Sequence, residues 1–229
     1  ALGFPGVSGT LWLLMAVGLA GEGSRAAPRA AAFGVLMLGL IAALACHQTA
    51  YAPVLQSRRA LQEAREAIAA GQEEQVETRL RAAASADPMA ADPWRDLAAL
   101  MLQAWEQTGS VQALERFREA DAAAVQREPN SATAWHTSGD WHLQVYERTR
   151  ALVDAERAVA SHARAVALYP NSGRHRARLA LAHRATGDTA SFRQEATEAL
   201  RLDAITPHAD KKLPDLVREE LERGVAAAP

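Results

Sequence analysis

The sequence contains a single cysteine among its 229 residues, and aromatic side chains make up only 5% of it. One cysteine, Cys46, excludes a disulfide framework within the chain, so oxidation contributes nothing to the fold. Acidic and basic residues nearly balance, at a net charge of −2. This balance excludes the basic excess that attracts nucleic acid, so we expect no nucleic-acid partner.

Motifs that carry chemistry are missing as well. The sequence has no glycine-rich phosphate loop and no Gly-x-Ser-x-Gly nucleophile motif. Its seven histidines form no His-x3-His pair. His175 and His183 would lie on similar faces of one helix, but no cysteine or carboxylate completes a metal-binding set with them. We predict no catalytic residue, no metal site and no cofactor in this chain.

Charge is almost absent from residues 1–54, which carry only Glu22, Arg25 and Arg29. These three residues separate two apolar runs, at residues 2–20 and about 30–54. A charge-free helix as long as the first run spans about 28 Å, roughly the thickness of the hydrocarbon layer of a membrane. We therefore predict a transmembrane helical hairpin over residues 1–54.

Three alternatives for this region stay open. The two runs are also compatible with buried helices of a soluble core. The segment 43–46, Ala-Leu-Ala-Cys, is compatible with the end of a lipoprotein signal. A first residue Ala1 within an apolar run also fits a piece cut from a longer protein. Basic residues nearly balance on the two sides of the predicted hairpin, with a slight excess that places the C-terminal part in the cytoplasm.

The rest of the chain has the composition of a helical repeat array. Alanine, leucine, arginine and glutamate, which favour helices, are abundant from residue 55 onward. Pro88, Pro129 and Pro170 are each 41 residues apart, and Trp94 and Trp135 each stand six residues after a proline. Equal spacing of this size indicates stacked units, each of which buries its apolar face only against its neighbours.

The pattern within the units resembles the tetratricopeptide repeat, a helix–turn–helix motif of 34 residues. The residues that carry the resemblance are Trp94, Leu97 and Ala98 in one unit, Trp135, Ser138 and Gly139 in the next, Leu179 and Ala180 in the last, the second-helix alanines Ala124 and Ala165, and the repeated prolines. The middle units are seven residues longer than the family norm. HEAT-like repeats also have about this length, but they fit the Trp/Gly-or-Ala/Ala/Pro pattern less well.

We accordingly predict an all-α fold with three parts. Two transmembrane helices occupy residues 1–54, four helical hairpins residues 55–206, and a C-terminal capping helix residues 207–229. Gly71, Gly109 and Gly187 mark the turns within three hairpins, whereas the third unit has no turn glycine. In the capping helix, apolar residues recur at helical spacing and are expected to cover the last hairpin: Leu216, Val217, Leu221 and Val225.

The resemblance implies that the array binds a protein partner along the concave surface formed by the first helices of the hairpins. In the inferred register, the inward positions are Arg58, Arg65, Arg95, Gln103, His136, Asp140, Gln144, Arg174 and Arg184. Because arginine pairs bidentately with carboxylates, its excess favours an acidic partner. The Lys and Asn positions of the family's carboxylate clamp hold other residues here, so that function is not carried over.

The layout of paired hydrophobic segments leading into tetratricopeptide units is similar to the C-terminal region of bacterial O-antigen ligase or polymerase-like membrane proteins. Such a resemblance implies the inner membrane of a bacterium and a parent protein that transfers lipid-linked glycans. The catalytic residues of that family lie upstream of the region that resembles this chain, so no residue here inherits a catalytic role. The alternative is a stand-alone membrane-tethered scaffold without enzymatic activity.

Overall fold

The computed structural model describes residues 29–70 and 72–227 of the chain, and within these ranges it contains helices and connecting turns but no strand. The chain divides into two units, Ala1–Pro53 and Val54–Pro229. The first apolar run and the turn residue Gly71 lie outside the described residues.

The described part of the first unit is helical. Helix α1 spans Arg29–Cys46 and is followed by a π-helical turn at His47–Tyr51. Phe33–Ala69 is long and apolar enough to cross a membrane, and none of its most apolar window is buried. A core helix of a soluble protein or a signal sequence would meet the same criterion, so this is weak evidence for a span.

The second unit is a series of helices joined by short turns. The helices are α2 (Ala52–Ala69), α3 (Glu73–Ala86), α4 (Asp92–Thr108), α5 (Val111–Arg127), α6 (Ala132–Thr149), α7 (Leu152–Leu168), α8 (Gly173–Thr186), α9 (Thr189–Ile205) and α10 (Asp215–Ala226), with a 3-10 turn at Ala209–Lys211 before the last. Successive helices from α3 to α10 pack on one another, and α6 also contacts α8. The contacts are most extensive within α4/α5, α6/α7 and α8/α9, as in helical hairpins, and apolar side chains of α2 and α3 share one buried cluster.

Local sequence explains where these helices begin and end. Ser110, Ser131 and Ser172 accept hydrogen bonds from backbone N–H groups of the first turns of α5, α6 and α8, as N-caps do. Gly109 and Gly187 end α4 and α8 in the left-handed conformation, at φ of 69° and 82°. The two glycine turns within the described residues therefore form as expected.

The third hairpin turns without glycine because Arg150 adopts that conformation, at φ of 58°. A left-handed residue with a side chain costs about 1–2 kcal/mol. The Arg150 guanidinium lies 5.6 Å from the centre of the Tyr146 ring, which offsets part of that cost. The turn within residues 146–152, which no glycine marks in the sequence, is thus formed by an arginine with a strained backbone.

In the unit that contains Trp135, the interval between proline and tryptophan has a structural reason. Trp135 donates from Nε1 to the carbonyl oxygen of Pro129, at 3.1 Å. In the next unit Arg176 occupies the same position and donates from Nε to the carbonyl oxygen of Pro170, at 3.0 Å. In both units the sixth residue after the proline reaches back to satisfy a carbonyl in the loop between hairpins.

Small residues let the helices approach closely. Ala83, Ala98, Ala155, Ala158, Ala165, Ala180, Ala196 and Ala199 are completely buried. A Cβ atom at Gly139 of α6 would lie only 2.6–2.7 Å from three ring atoms of His162 on α7. Gly139 therefore marks a close contact between α6 and α7.

The C-terminal helix α10 covers the last hairpin with three of the four residues expected on its covering face. Leu221 is completely buried, and Val217 and Val225 pack at the edge of the same apolar cluster. Leu216 is 80% exposed, so its assignment to the covering face is wrong. Gly224 takes part instead, since a Cβ there would lie 2.4 Å from the ring of Phe192.

Candidate binding surface on the first helices

A cleft of about 550 Å³ lies between α6, α8 and α10 of the second unit. Its lining includes three of the residues predicted to face a partner, Asp140, Gln144 and Arg184. The other lining residues are Leu143, Tyr146, Glu147, Arg150, Arg178, Leu181, Ala185 and Glu220. The cleft therefore combines an apolar floor with charged walls of both signs.

A smaller cleft of about 220 Å³ lies beside it and contains two more predicted residues, His136 and Arg174. Its remaining lining comes from α8 and from the segment that leads into α10: Ala177, Arg178, Leu213, Pro214 and Val217. Arg178 lines both clefts, so α8 forms the wall between them. Five of the nine predicted residues are thereby brought to neighbouring clefts.

The other four predicted residues lie on the first two hairpins. Arg58 and Arg65 are exposed on α2, and Gln103 is exposed on α4. Arg95, near the start of α4, is part-buried. Neither cleft includes any of these four residues.

Most of the predicted arginines already have partners within the chain. Arg95 pairs with Glu128 at 2.5 Å and with Asp92 at 2.8 Å. Arg65 lies 3.6 Å from Asp96.

Farther along the array the pairing continues. Arg184 pairs with Glu220 of α10, and Arg174 donates to the backbone carbonyl oxygens of Asp210 and Lys212. Three of the five predicted arginines, Arg65, Arg95 and Arg184, thus have a carboxylate partner within the chain.

A cluster of histidines occupies the junction of α6, α7 and α8. His136 and Asp140 are one turn apart on α6, with Nε2 3.5 Å from the Oδ2 atom of the carboxylate. His162 of α7 has no exposed surface, and its Nε2 lies 3.6 Å from Oδ1 of Asp140. His175 of α8 places its Nδ1 3.2 Å from Nδ1 of His136.

Burial lowers the pKa of His162 to about 3 and that of His175 to about 4, so both rings are neutral near pH 7. Burial also lowers the pKa of His136 below its usual range. Sequence spacing singled out His175 and His183 as a possible pair. The structure instead places His183 beside Asp188 on α9's N-terminal turn, at 3.5 Å.

A second group of buried polar residues crosses the interface between the middle hairpins. His142 lies between two buried carboxylates, with Nε2 3.2 Å from Asp121 and Nδ1 3.3 Å from Asp154. Ser138 donates to Asp121 at 2.7 Å, and Arg118 pairs with Asp154 at 2.5 Å. These buried polar groups thus have hydrogen-bond or ion-pair partners within the protein in place of water.

The pKa values in this group follow from those contacts. Burial alone would lower the pKa of His142, but hydrogen bonds to Asp121 and Asp154 raise it above its usual value. Burial would raise the pKa of Asp154, but His142 and Arg118 lower it. Sequence reasoning missed this network, since nothing in the spacing of its members separates them from surface charges.

No family model matches the chain, and no curated protein is a significant match. Among solved structures, the chain is similar to the Pseudomonas aeruginosa pilF protein, at 19% identity and a TM-score of 0.47, over 77% of this chain and 78% of that one. It is also similar to the MamA protein, at 13% identity and a TM-score of 0.49, over 75% of this chain and 88% of that one. A third similar structure is TTC0263, described as a thermophilic TPR protein of Thermus thermophilus, at 17% identity and a TM-score of 0.49, over 86% and 94% of the two chains.

Proposed function

We propose that the second unit is a tetratricopeptide-like protein-interaction module that binds a segment of a partner protein in the cleft between α6, α8 and α10. The observation that carries this proposal is the cleft itself, which is about 550 Å³ in volume and lined by side chains of two successive first helices. Leu143 and Leu181 supply an apolar floor, and Tyr146 supplies an aromatic surface at its edge. Apolar and aromatic surface surrounded by charged groups suits the binding of a side chain from the partner protein.

We propose further that the partner segment is acidic. Support comes from Arg150 and Arg178, which line the cleft with their cationic groups. Arg150 contacts the Tyr146 ring, and Arg178 is 42% exposed beside Asp140. A partner carboxylate would pair with these two guanidinium groups or take the place of Glu220 on Arg184.

The binding surface can be tested by photo-crosslinking in cells. A photoreactive amino acid at Glu147, which is exposed and lines the cleft, should give a discrete crosslinked partner. The matched control is Glu156, which is exposed on α7 and does not line the cleft. The same crosslinks from both positions, or none from Glu147, would contradict a binding site in the cleft.

The chemistry of the partner is tested with the same crosslink. Replacement of Arg150 and Arg178 by glutamine should reduce it at least tenfold, because each charge-assisted contact contributes about 1.5–3 kcal/mol. Replacement of Arg157, which is exposed on α7, serves as the charge-matched control. Crosslinking that survives the double replacement would reject the acidic partner while leaving the cleft as the site.

We also propose that residues 1–54 anchor this module in a bacterial inner membrane. The supporting observation is the exposed apolar surface of α1, where the following side chains are each more than half exposed: Phe33, Leu36, Leu38, Leu40, Ile41 and Leu44. Apolar surface of this kind needs a cover, and lipid is the cover that suits a helix without charge after its first residue. Extraction of the chain from membranes by carbonate at high pH, without detergent, would contradict the anchor.

The last part of the proposal concerns the longer protein to which this chain would belong. The layout supports the C-terminal part of an O-antigen ligase-like glycan transferase, and the alternative is a stand-alone membrane scaffold. The reading frame upstream of the codon for Ala1 distinguishes the two. Many further transmembrane segments would favour the transferase, and a start codon close by would favour the scaffold.

A further inference from the structure

Two histidines and one carboxylate converge from two helices on a single point in the third hairpin. The residues are His136 and Asp140 of α6 and His162 of α7, and one ligand atom from each lies within 4.8 Å of the others. We propose that these three residues form a binding site for a divalent transition-metal ion of the zinc type.

The distances fit the coordination of such an ion. With metal–ligand bonds of about 2.0–2.1 Å, two ligand atoms of a tetrahedral zinc site are about 3.4 Å apart. The Oδ2 atom of Asp140 lies 3.5 Å from Nε2 of His136, and its Oδ1 atom lies 3.6 Å from Nε2 of His162. One oxygen of the carboxylate thus lies near each histidine, and rotation of the three side chains would bring one ligand atom of each residue to a common centre.

The state of the ligand atoms provides an independent indication. The His162 side chain has no exposed surface, and neither of its buried ring nitrogens has a hydrogen-bond partner. The Oδ1 atom of Asp140, which faces His162, is also buried and accepts no hydrogen bond, although the Arg178 guanidinium lies 3.3 Å away. A buried polar atom without a partner costs about 1–3 kcal/mol, and such atoms are uncommon in folded proteins. An ion at this point would satisfy Nε2 of His162 and Oδ1 of Asp140 at once.

The contact between two of the histidines also favours a ligand role. The Nδ1 atoms of His136 and His175 are 3.2 Å apart, and only one of them can carry the hydrogen between them. When His136 carries it, His175 accepts, and Nε2 of His136 presents its lone pair towards Asp140. His175 would then orient a metal ligand in the way that outer-shell partners do.

The donor set selects the class of metal. Two imidazole nitrogens and one carboxylate oxygen suit zinc, cobalt, nickel or copper, whereas calcium and magnesium prefer oxygen ligands alone. Arg178 opposes the ion, since its Nε lies 3.3 Å from Oδ1 of Asp140. Its side chain is 42% exposed, so the guanidinium can turn towards solvent when the ion binds. Three protein ligands leave one coordination position for water or for a donor group of a ligand.

The test uses the whole chain, purified with a tag that contains no histidine, stripped with a chelator and titrated with Co²⁺. We expect one ion per chain, with the visible absorption bands of tetrahedral cobalt, and displacement of those bands by Zn²⁺. His136→Gln and Asp140→Asn should each weaken binding at least tenfold. Their side chains are 24% and 34% exposed, so neither change opens a cavity in the core.

The matched control is His183→Gln, because His183 also lies beside a carboxylate, that of Asp188, but outside the cluster. This variant should bind cobalt as the unaltered chain does. The proposal is overturned if the unaltered chain takes up no stoichiometric cobalt, if both ligand variants bind as well as it does, or if the control loses binding to the same extent. Should one ligand variant unfold in the presence of chelator, the other gives the answer on its own.

Discussion

The close contact between Gly139 and His162 makes a quantitative prediction about the stability of the array. A Cβ atom at position 139 would lie 2.6–2.7 Å from three atoms of the His162 ring, well inside van der Waals contact. The ring has no exposed surface, and it packs against His136 with ring centres 5.5 Å apart. It therefore has little space into which it can move.

For Gly139→Val the two opposing contributions can be compared. Replacement of glycine within a helix by valine improves helix propensity by only about 0.4 kcal/mol. Overpacking of a well-filled interior costs about 1–3 kcal/mol, and a branched side chain falls at the upper end of that range. We expect the free energy of unfolding to fall by about 2–3 kcal/mol.

The assay is urea unfolding of the whole chain, followed by far-UV circular dichroism in the presence of a chelator. A double-mutant cycle with His162→Ala identifies the clash, because removal of the ring gives the valine space. The coupling between the two changes should exceed about 1 kcal/mol in the direction of rescue. Ala160→Val, at an exposed position of α7, controls for helix propensity and should cost about 0.5 kcal/mol. Additive effects within about 0.5 kcal/mol would refute the argument that His162 limits the space at position 139.

Four further predictions can be checked with the same methods. A fragment of residues 55–229 should be soluble and give the double minimum of α-helix in far-UV circular dichroism, whereas a β spectrum would contradict the repeat array. Asp154→Asn should lower the free energy of unfolding by about 3–5 kcal/mol, since it leaves the buried Arg118 and His142 without one of the network's two carboxylates; a loss below 1 kcal/mol would show that the network is unimportant. Gly109→Ala should cost about 1–2 kcal/mol because of the positive φ, and an unchanged midpoint would contradict that backbone geometry. Leu221→Ala should cost about 2–5 kcal/mol and Leu216→Ala almost nothing, and equal effects would reverse our assignment of the buried face of α10.

Features that depend on local chain chemistry were predictable from the sequence. The equal spacing of the prolines, the glycines at positions 109 and 187, and the strong helix formers between them define hairpins without any knowledge of tertiary contacts. Arg150 shows where this reasoning ends. Its left-handed conformation is imposed by the packing of α6 against α7, since the residue itself disfavours it.

The buried polar residues could not be predicted for a related reason. Asp121, His142 and Asp154 come from three consecutive helices, and their sequence neighbours resemble those of ordinary surface charges. Whether such a residue is buried depends on the rotation of each helix about its axis within the stack. A period read from the sequence does not determine that rotation to within one residue. The same limit placed Leu216 on the covering face of α10, although it is exposed.

The predicted arginines illustrate a more general ambiguity in repeat proteins. A residue that faces the next unit and a residue that faces a partner occupy neighbouring positions on the same helix. Glu77–Arg116, Glu106–Gln144 and Arg184–Glu220 all join positions that are 36–39 residues apart in the chain. The charges of the array thus connect each hairpin to the next, and charge counting along one helix cannot separate the two roles.

Internal pairing of this kind does not prevent binding, because exposed ion pairs contribute only about 0–1 kcal/mol each. Arg184 and Glu220 are 45% and 38% exposed, so a partner carboxylate could displace Glu220 at little cost. Exchange at that pair would also loosen one of the contacts that hold α10 over the last hairpin. Buried pairs such as Arg118–Asp154 are different, since the carboxylate has no exposed surface from which a partner could displace it. In the proposed binding mode, the arginines that meet the partner are those on the walls of the cleft between α6, α8 and α10, whereas Arg118 serves the fold.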